Sequence, residues 1–340
     1  MRNILLAAIA TMSMHSTAQT LEGFAYGAEQ APTGKEWQDP QQLALNKLQP
    51  RAYFFSFANE KQARRVLSDF SPYTISLDGM WKFSWVPTPD ERPADFYKPD
   101  YDVSRWDDIV VPGCWNMQGL GKNGEMRYGV PIYVNQPVIF YHQVKKDDWR
   151  EGVMRKAPDH WTAAKYPNEV GSYRRTFSVP AEWAGREILI NFDGVDSFFY
   201  LWVNGHYVGF SKNSRNTASF DITSYLNKSG DNVVAVEVYR NSDASLLESQ
   251  DMFRLPGIIR STYLTSRDAV HFDDIVVRTE SIADGNANIK LDVKQTGGTE
   301  VQYKVYPVQL YSDALTSADA VVSGAKNDAT LATSFATTFK

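Results

Sequence analysis

Apolar and polar residues alternate in short runs along most of this chain, and a period of two prevails over the helical 3.6. Trp81, Phe83 and Trp85 share one face of a strand that follows the Asp78-Gly79 turn. Tyr173 to Val179 reads as a further strand, stopped by Pro180. The aromatic runs Phe198 to Val203 and His206 to Phe210 flank Asn204-Gly205. Both turn residues tolerate positive φ, which predicts a two-residue hairpin of the primed type. Phe220 to Leu226 is a short segment leading to the turn Ser229-Gly230-Asp231-Asn232. Val233 to Tyr239 alternates around Glu237 and predicts a strand with one wet face. Leu43, Leu45 and Leu48 suggest a short helix face, but no run supports a helix of about 12 residues or more, and no internal repeat is present.

Eight or so short strands between residues 72 and 266, separated by turn signals, predict an all-β sandwich. Pro131 and Pro137 keep Tyr128 to Pro137 out of any central ladder, and residues 140–166 have no clean period. A second set of strands begins near Val270: Ile275 to Thr279, Asn288 to Val293 and Val301 to Leu310, with turns at Asp284-Gly285-Asn286 and Gly297-Gly298.

Composition narrows the chemistry. A chain of 340 residues that is 43% hydrophobic and 22% charged has matter for a real core and suggests two domains. The net charge is −5 with scattered basic residues, which excludes the basic stripe that nucleic acid requires. Arg2, the apolar run Ile4 to Ala10 and Ser16-Thr17-Ala18 predict a signal peptide over residues 1–18, hence a secreted or periplasmic protein. That run is too short to span a bilayer, which takes about 20 apolar residues. The single cysteine, Cys114, forms no internal disulfide and reads as a packed thiol. The five histidines are isolated, with no zinc spacing. Asp243, Glu248 and Asp251 cluster in sequence, a grouping more often solvated or structural than catalytic.

Three patterns stand in order: Phe192-Asp193-Gly194-Val195, Trp202-Val203-Asn204-Gly205, and Gln250-Asp251-Met252-Phe253-Arg254 running on to Gly257 and Arg260. Together they resemble the sugar-binding domain of glycoside hydrolase family 2, and within it the β-galactosidases. Leu77 to Phe83 and Trp115 to Gly119 are similar to the family as well. The resemblance implies a galactose-binding-like jelly-roll sandwich at 71–268, an N-terminal arm at 19–70 with possible homo-oligomer contacts, and an incomplete immunoglobulin-like domain at 270–340, since that fold takes about 100 residues.

It also implies a retaining glycosidase acting on terminal β-galactosides. Its two glutamates, about 5 Å apart, lie in the family on a catalytic barrel outside these 340 residues, so no catalytic residue is assigned here. Two binding residues carry over by motif. Asn135, in Pro131-Ile132-Tyr133-Val134-Asn135, corresponds to an asparagine that touches galactose hydroxyls. Asp243, in Ser242-Asp243, corresponds to an aspartate that holds galactose and a sodium ion. An amide both donates and accepts, and a carboxylate accepts from hydroxyls or ligates a hard cation. Read without the resemblance, both are ordinary turn residues. Sodium and magnesium are implied for the complete enzyme, with at most a partial sodium site here. Arg254 and Arg260 are expected to pin their loop toward the barrel, Asp251 pairing with one of them. The alternatives are a stand-alone carbohydrate-binding module and a structural jelly roll without activity.

Overall fold

The computed structural model describes residues 32–64, 68–134, 168–227, 229–248, 252–283, 286–297, 301–305, 322–326 and 330–336. The strands in chain order begin with β1 Ala44–Leu45, β2 Thr74–Ser76, β3 Gly79–Val86, β4 Asp107–Val111, β5 Ile132–Val134, β6 Val170–Phe177, β7 Glu187–Phe192, β8 Val195–Asp196, β9 Phe198–Val203 and β10 His206–Lys212. They continue with β11 Ala218–Asp221, β12 Asn232–Tyr239, β13 Met252–Arg254, β14 Gly257–Ile258, β15 Thr262–Arg267, β16 His271–Ala283, β17 Asn286–Thr296, β18 Val301–Val305, β19 Val322–Lys326 and β20 Thr330–Ala336. The α-helices among the described residues are single turns: α1 Glu60–Ala63, α2 Trp115–Gln118 and α3 Ser245–Glu248.

Two antiparallel sheets make a jelly-roll sandwich. The larger has the order β1-β10-β9-β12-β6-β3-β4, the smaller β11-β7-β15-β2. Alternation on β9 explains why they pack: Phe199, Leu201 and Val203 meet Ile190, Phe192 and Leu264 of the smaller sheet in one core. The opposite face of β9, carrying Phe198, Tyr200 and Trp202, is buried too. Tyr97 stacks on Trp202 at 5.5 Å, Phe96 meets it edge-on at 5.6 Å, and Trp37 stacks on Tyr239 at 5.4 Å. Each such ring removes about 150–250 Å² from water, so this outer layer is a second core.

That layer corrects the wet face expected of Val233 to Tyr239. Glu237 is only 4% exposed. It accepts from the Tyr239 hydroxyl at 2.8 Å and pairs with Arg92 at 3.3 Å, while burial raises its carboxyl above the usual range. A buried carboxylate persists only with such partners. The Asn204-Gly205 hairpin does form, with φ of 52° and 87°. The Asn204 side chain ties the turn to Tyr225 O and Val233 N, both at 2.8 Å.

The leucines near residue 45 form no helix. Ala44 and Leu45 add a strand to β10, pairing with Ser211 and Phe210. The open ladder of β10 offers backbone partners that outweigh local helix preference. The arm passes so close that a Cβ on Gly209 would lie 2.2 Å from Leu45 O. At the other edge of the sheet, the Gln118 amide makes two 2.8 Å bonds to Val110, one to its carbonyl and one from its N–H, in place of a neighbouring strand. Beyond β15, strands β16, β17 and β20 form one sheet and β18 and β19 another.

Candidate functional site

Asp243 lies just past the end of β12, where the chain turns into α3. The turn is fixed from several sides. Asn168 Nδ2 donates to Asn241 O and Asn241 N–H donates to Asn168 Oδ1, both at 2.8 Å. Ser242 N–H donates to Ser245 Oγ at 3.0 Å. Asp243 N–H donates to Trp37 O at 2.9 Å, so the N-terminal arm forms one wall of the site.

Asp243 is buried, 7% exposed, although it lies in a turn. Its partner is Lys212, the last residue of β10, whose Nζ is 2.7 Å from Asp243 Oδ1. Lys212 is 3% exposed and also donates to Asp39 O at 2.7 Å. Burial works against charge on both partners, raising the Asp243 carboxyl and lowering the Lys212 ammonium, while their contact draws each back. Asp39 accepts from Gln41 N–H at 3.0 Å and from Gln42 Nε2 at 2.9 Å, and these bonds hold its carboxyl below the usual range. Behind the pair, Glu36 is buried and accepts from Tyr200 OH at 2.6 Å and from Thr33 N–H at 2.8 Å.

The carboxylates that cluster in sequence separate in space. Glu248 turns away from Asp243 and accepts from Ser214 N–H at 2.9 Å and Ser214 Oγ at 2.5 Å. It borders a small cavity of about 30 Å³ shared with Asp196, Arg215, Arg240, Asn241, Arg254 and the apolar Met252. Asp196 pairs with Arg215 at 3.2 Å, and burial pushes its carboxyl up to about 6. Arg260 Nη1 donates to Arg215 O at 2.7 Å, tying the third sequence pattern to the loop after β10. The thiol of Cys114 is half-buried and pushed up by burial. Among the described residues no group of three or more His, Cys, Asp or Glu side chains could hold a metal ion.

Asn135 and Asp251 lie outside the described residues. The strand leading to Asn135 is placed: β5 ends at Val134, opposite Met252 of β13. Lys212 and the arm's backbone were missed by reading the sequence. A signal existed for the first, because strand alternation puts Lys212 on the face of Phe210, where a lysine is out of place unless paired.

Comparison with known proteins bears on this arrangement. Residues 74–267 match the family model described as glycosyl hydrolases family 2, sugar binding domain. The chain is 36% identical over 280 residues to a β-galactosidase of Priestia megaterium, covering 81% of this chain and 25% of that protein. It is 34% identical over 258 residues to a β-galactosidase large subunit of Leuconostoc lactis, covering 74% and 38%. The chain thus spans about a quarter to two fifths of such relatives. Among solved structures, an apo β-glucuronidase of Ruminococcus gnavus is similar in fold at a TM-score of 0.57 and 16% identity, covering 86% of this chain and 42% of that one. A β-glycosidase of Bacteroides vulgatus is similar at 0.51 and 22%, covering 77% and 29%.

Proposed function

The chain belongs to glycosyl hydrolase family 2 and carries that family's sugar-binding domain at residues 74–267; from this premise we propose that it is the non-catalytic, N-terminal part of a β-galactosidase-like hydrolase. The substrate is a terminal β-galactoside. The 340 residues supply binding loops, and the two glutamates that cleave the bond belong to a barrel outside them. Asp243 accepts hydrogen bonds from the sugar's hydroxyls, and Asn135 both donates to and accepts from those hydroxyls. Residues 1–18 direct export to the periplasm or beyond. Any sodium or magnesium requirement is a property of the whole enzyme.

The observation that carries this reading is the family match over residues 74–267, joined to relatives named β-galactosidase that extend well past it. The test uses the native gene product, captured with an antibody raised against residues 74–267, beside the pure 340-residue protein. The captured protein is expected to hydrolyse nitrophenyl β-galactoside at least tenfold faster than nitrophenyl β-glucuronide, a margin of about 1.4 kcal/mol in transition-state binding. The 340-residue protein alone is expected to hydrolyse neither. Glucuronidase preference, or no glycosidase activity in the captured protein, overturns the substrate assignment in favour of a binding or structural module. Turnover by the 340 residues overturns the non-catalytic role.

A further inference from the structure

The sodium ion that the resemblance implies at Asp243 can be tested against the donors this chain offers. A hard cation is held by several oxygen ligands. Two oxygens, Asp243 Oδ1 and the Asp39 carbonyl, both lie 2.7 Å from one atom, Lys212 Nζ. A third oxygen of the wall, Trp37 O, is occupied by Asp243 N–H at 2.9 Å. Lys212 is almost wholly buried and leaves β10 next to the arm strand β1, so its ammonium is not a surface charge free to swing away. An ammonium has three donors and no acceptor. It neutralises the carboxylate and donates to a carbonyl at the same time, as an alkali cation would bind both, and a second cation beside it would meet like charge in a water-poor setting.

We infer that the Lys212 ammonium stands in the place of the alkali cation beside Asp243, so that this site takes no sodium. The donors present do not fit a sodium ion, because a positive charge covalently tethered to the fold already lies 2.7 Å from each of the two oxygens that would bind it. The ammonium then does the cation's positioning work, fixing the carboxylate rotamer and linking it to Asp39 of the arm. The setting rests on the reading of Asp243 as the sugar-side carboxylate, but cation occupancy is measured without substrate. A failure of the sugar assignment is therefore distinct from a failure here.

The experiment is a ²³Na relaxation titration of the 340-residue protein, with choline chloride holding ionic strength constant, paired with thermal melts in the two salts. The wild-type protein is expected to show no saturable sodium signal and melting temperatures equal within about 1 °C. Lys212→Met keeps the aliphatic stem and removes the charge. It is expected to gain a saturable sodium signal and a sodium-specific rise of about 3–5 °C at tenfold excess over Kd, both lost when Asp243→Asn is added. A saturable wild-type signal that Asp243→Asn removes overturns the inference. So does a folded Lys212→Met protein that takes up no sodium. Should Lys212→Met fail to fold, Lys212→Gln replaces it, and a folded Lys212→Gln protein that takes up no sodium overturns the inference in the same way.

Discussion

Trp37→Ala gives the sharpest test of how the arm is held. Trp37 is 3% exposed, its ring stacks on Tyr239 at 5.4 Å, and its Nε1 donates to Gly34 O at 2.9 Å. A buried tryptophan carries about 150–250 Å² of surface, worth about 4–6 kcal/mol at 25 cal/mol per Å², and the measured cost of such truncations is about 3–5 kcal/mol. How much of that reaches the global melting transition depends on the arm's own docking energy. If the arm unfolds separately, the loss stops at the free energy with which it docks. The variant is expected to lower the melting temperature by about 10 °C, using roughly 2–4 °C per kcal/mol for a domain this size. Alternatively the melt shifts little and limited proteolysis cuts near residues 33–45 at least tenfold faster than in wild type, as local opening requires. Calorimetry and timed proteolysis on the same preparation separate the two. A variant that keeps both the melt and the protease resistance refutes the docking argument.

Two further predictions follow from buried charge. Asp243→Asn leaves the Lys212 ammonium buried without its counter-charge and is expected to cost about 3–5 kcal/mol in urea unfolding, most of it recovered in the double variant with Lys212→Met; a loss below about 1 kcal/mol contradicts a buried pair. Asp196, raised from 3.8 to about 6, binds a proton more readily when folded than when unfolded. Its contribution to stability is therefore fully present below about pH 4 and lost as pH rises through 6. Asp196→Asn should gain on wild type by about 2–3 kcal/mol between pH 4 and pH 7, and a difference that stays flat across that range counts against the burial argument.

The inner core was legible because it depends on local alternation. Trp81, Phe83, Phe199, Leu201 and Val203 lie where a period of two puts them. The outer layer was not, because nothing within β12 tells that Trp37 and Phe96 will cover the face holding Glu237. The same gap turned Leu45 from an expected helix position into a strand residue, its partner Phe210 lying far along the chain. At the site, Ser242-Asp243 was readable as a turn, whereas its burial and its pairing with Lys212 depend on how the hairpin β9–β10 and the arm meet. Motif spacing identifies a residue's neighbours in sequence; its electrostatic partners are set by sheet order.

The arm is made first and placed last. Its anchors, Tyr200 for Glu36 and Tyr239 for Trp37, are translated long after it, and the Tyr200 contact alone spans 164 residues. At about 5–20 residues per second, Trp37 waits for roughly 10–40 s before Tyr239 exists to receive it. Through that interval its ring has no Tyr239 to stack on in the nascent chain. The sandwich therefore takes its final form only after β12 has been made, well behind the segment that covers its outer face.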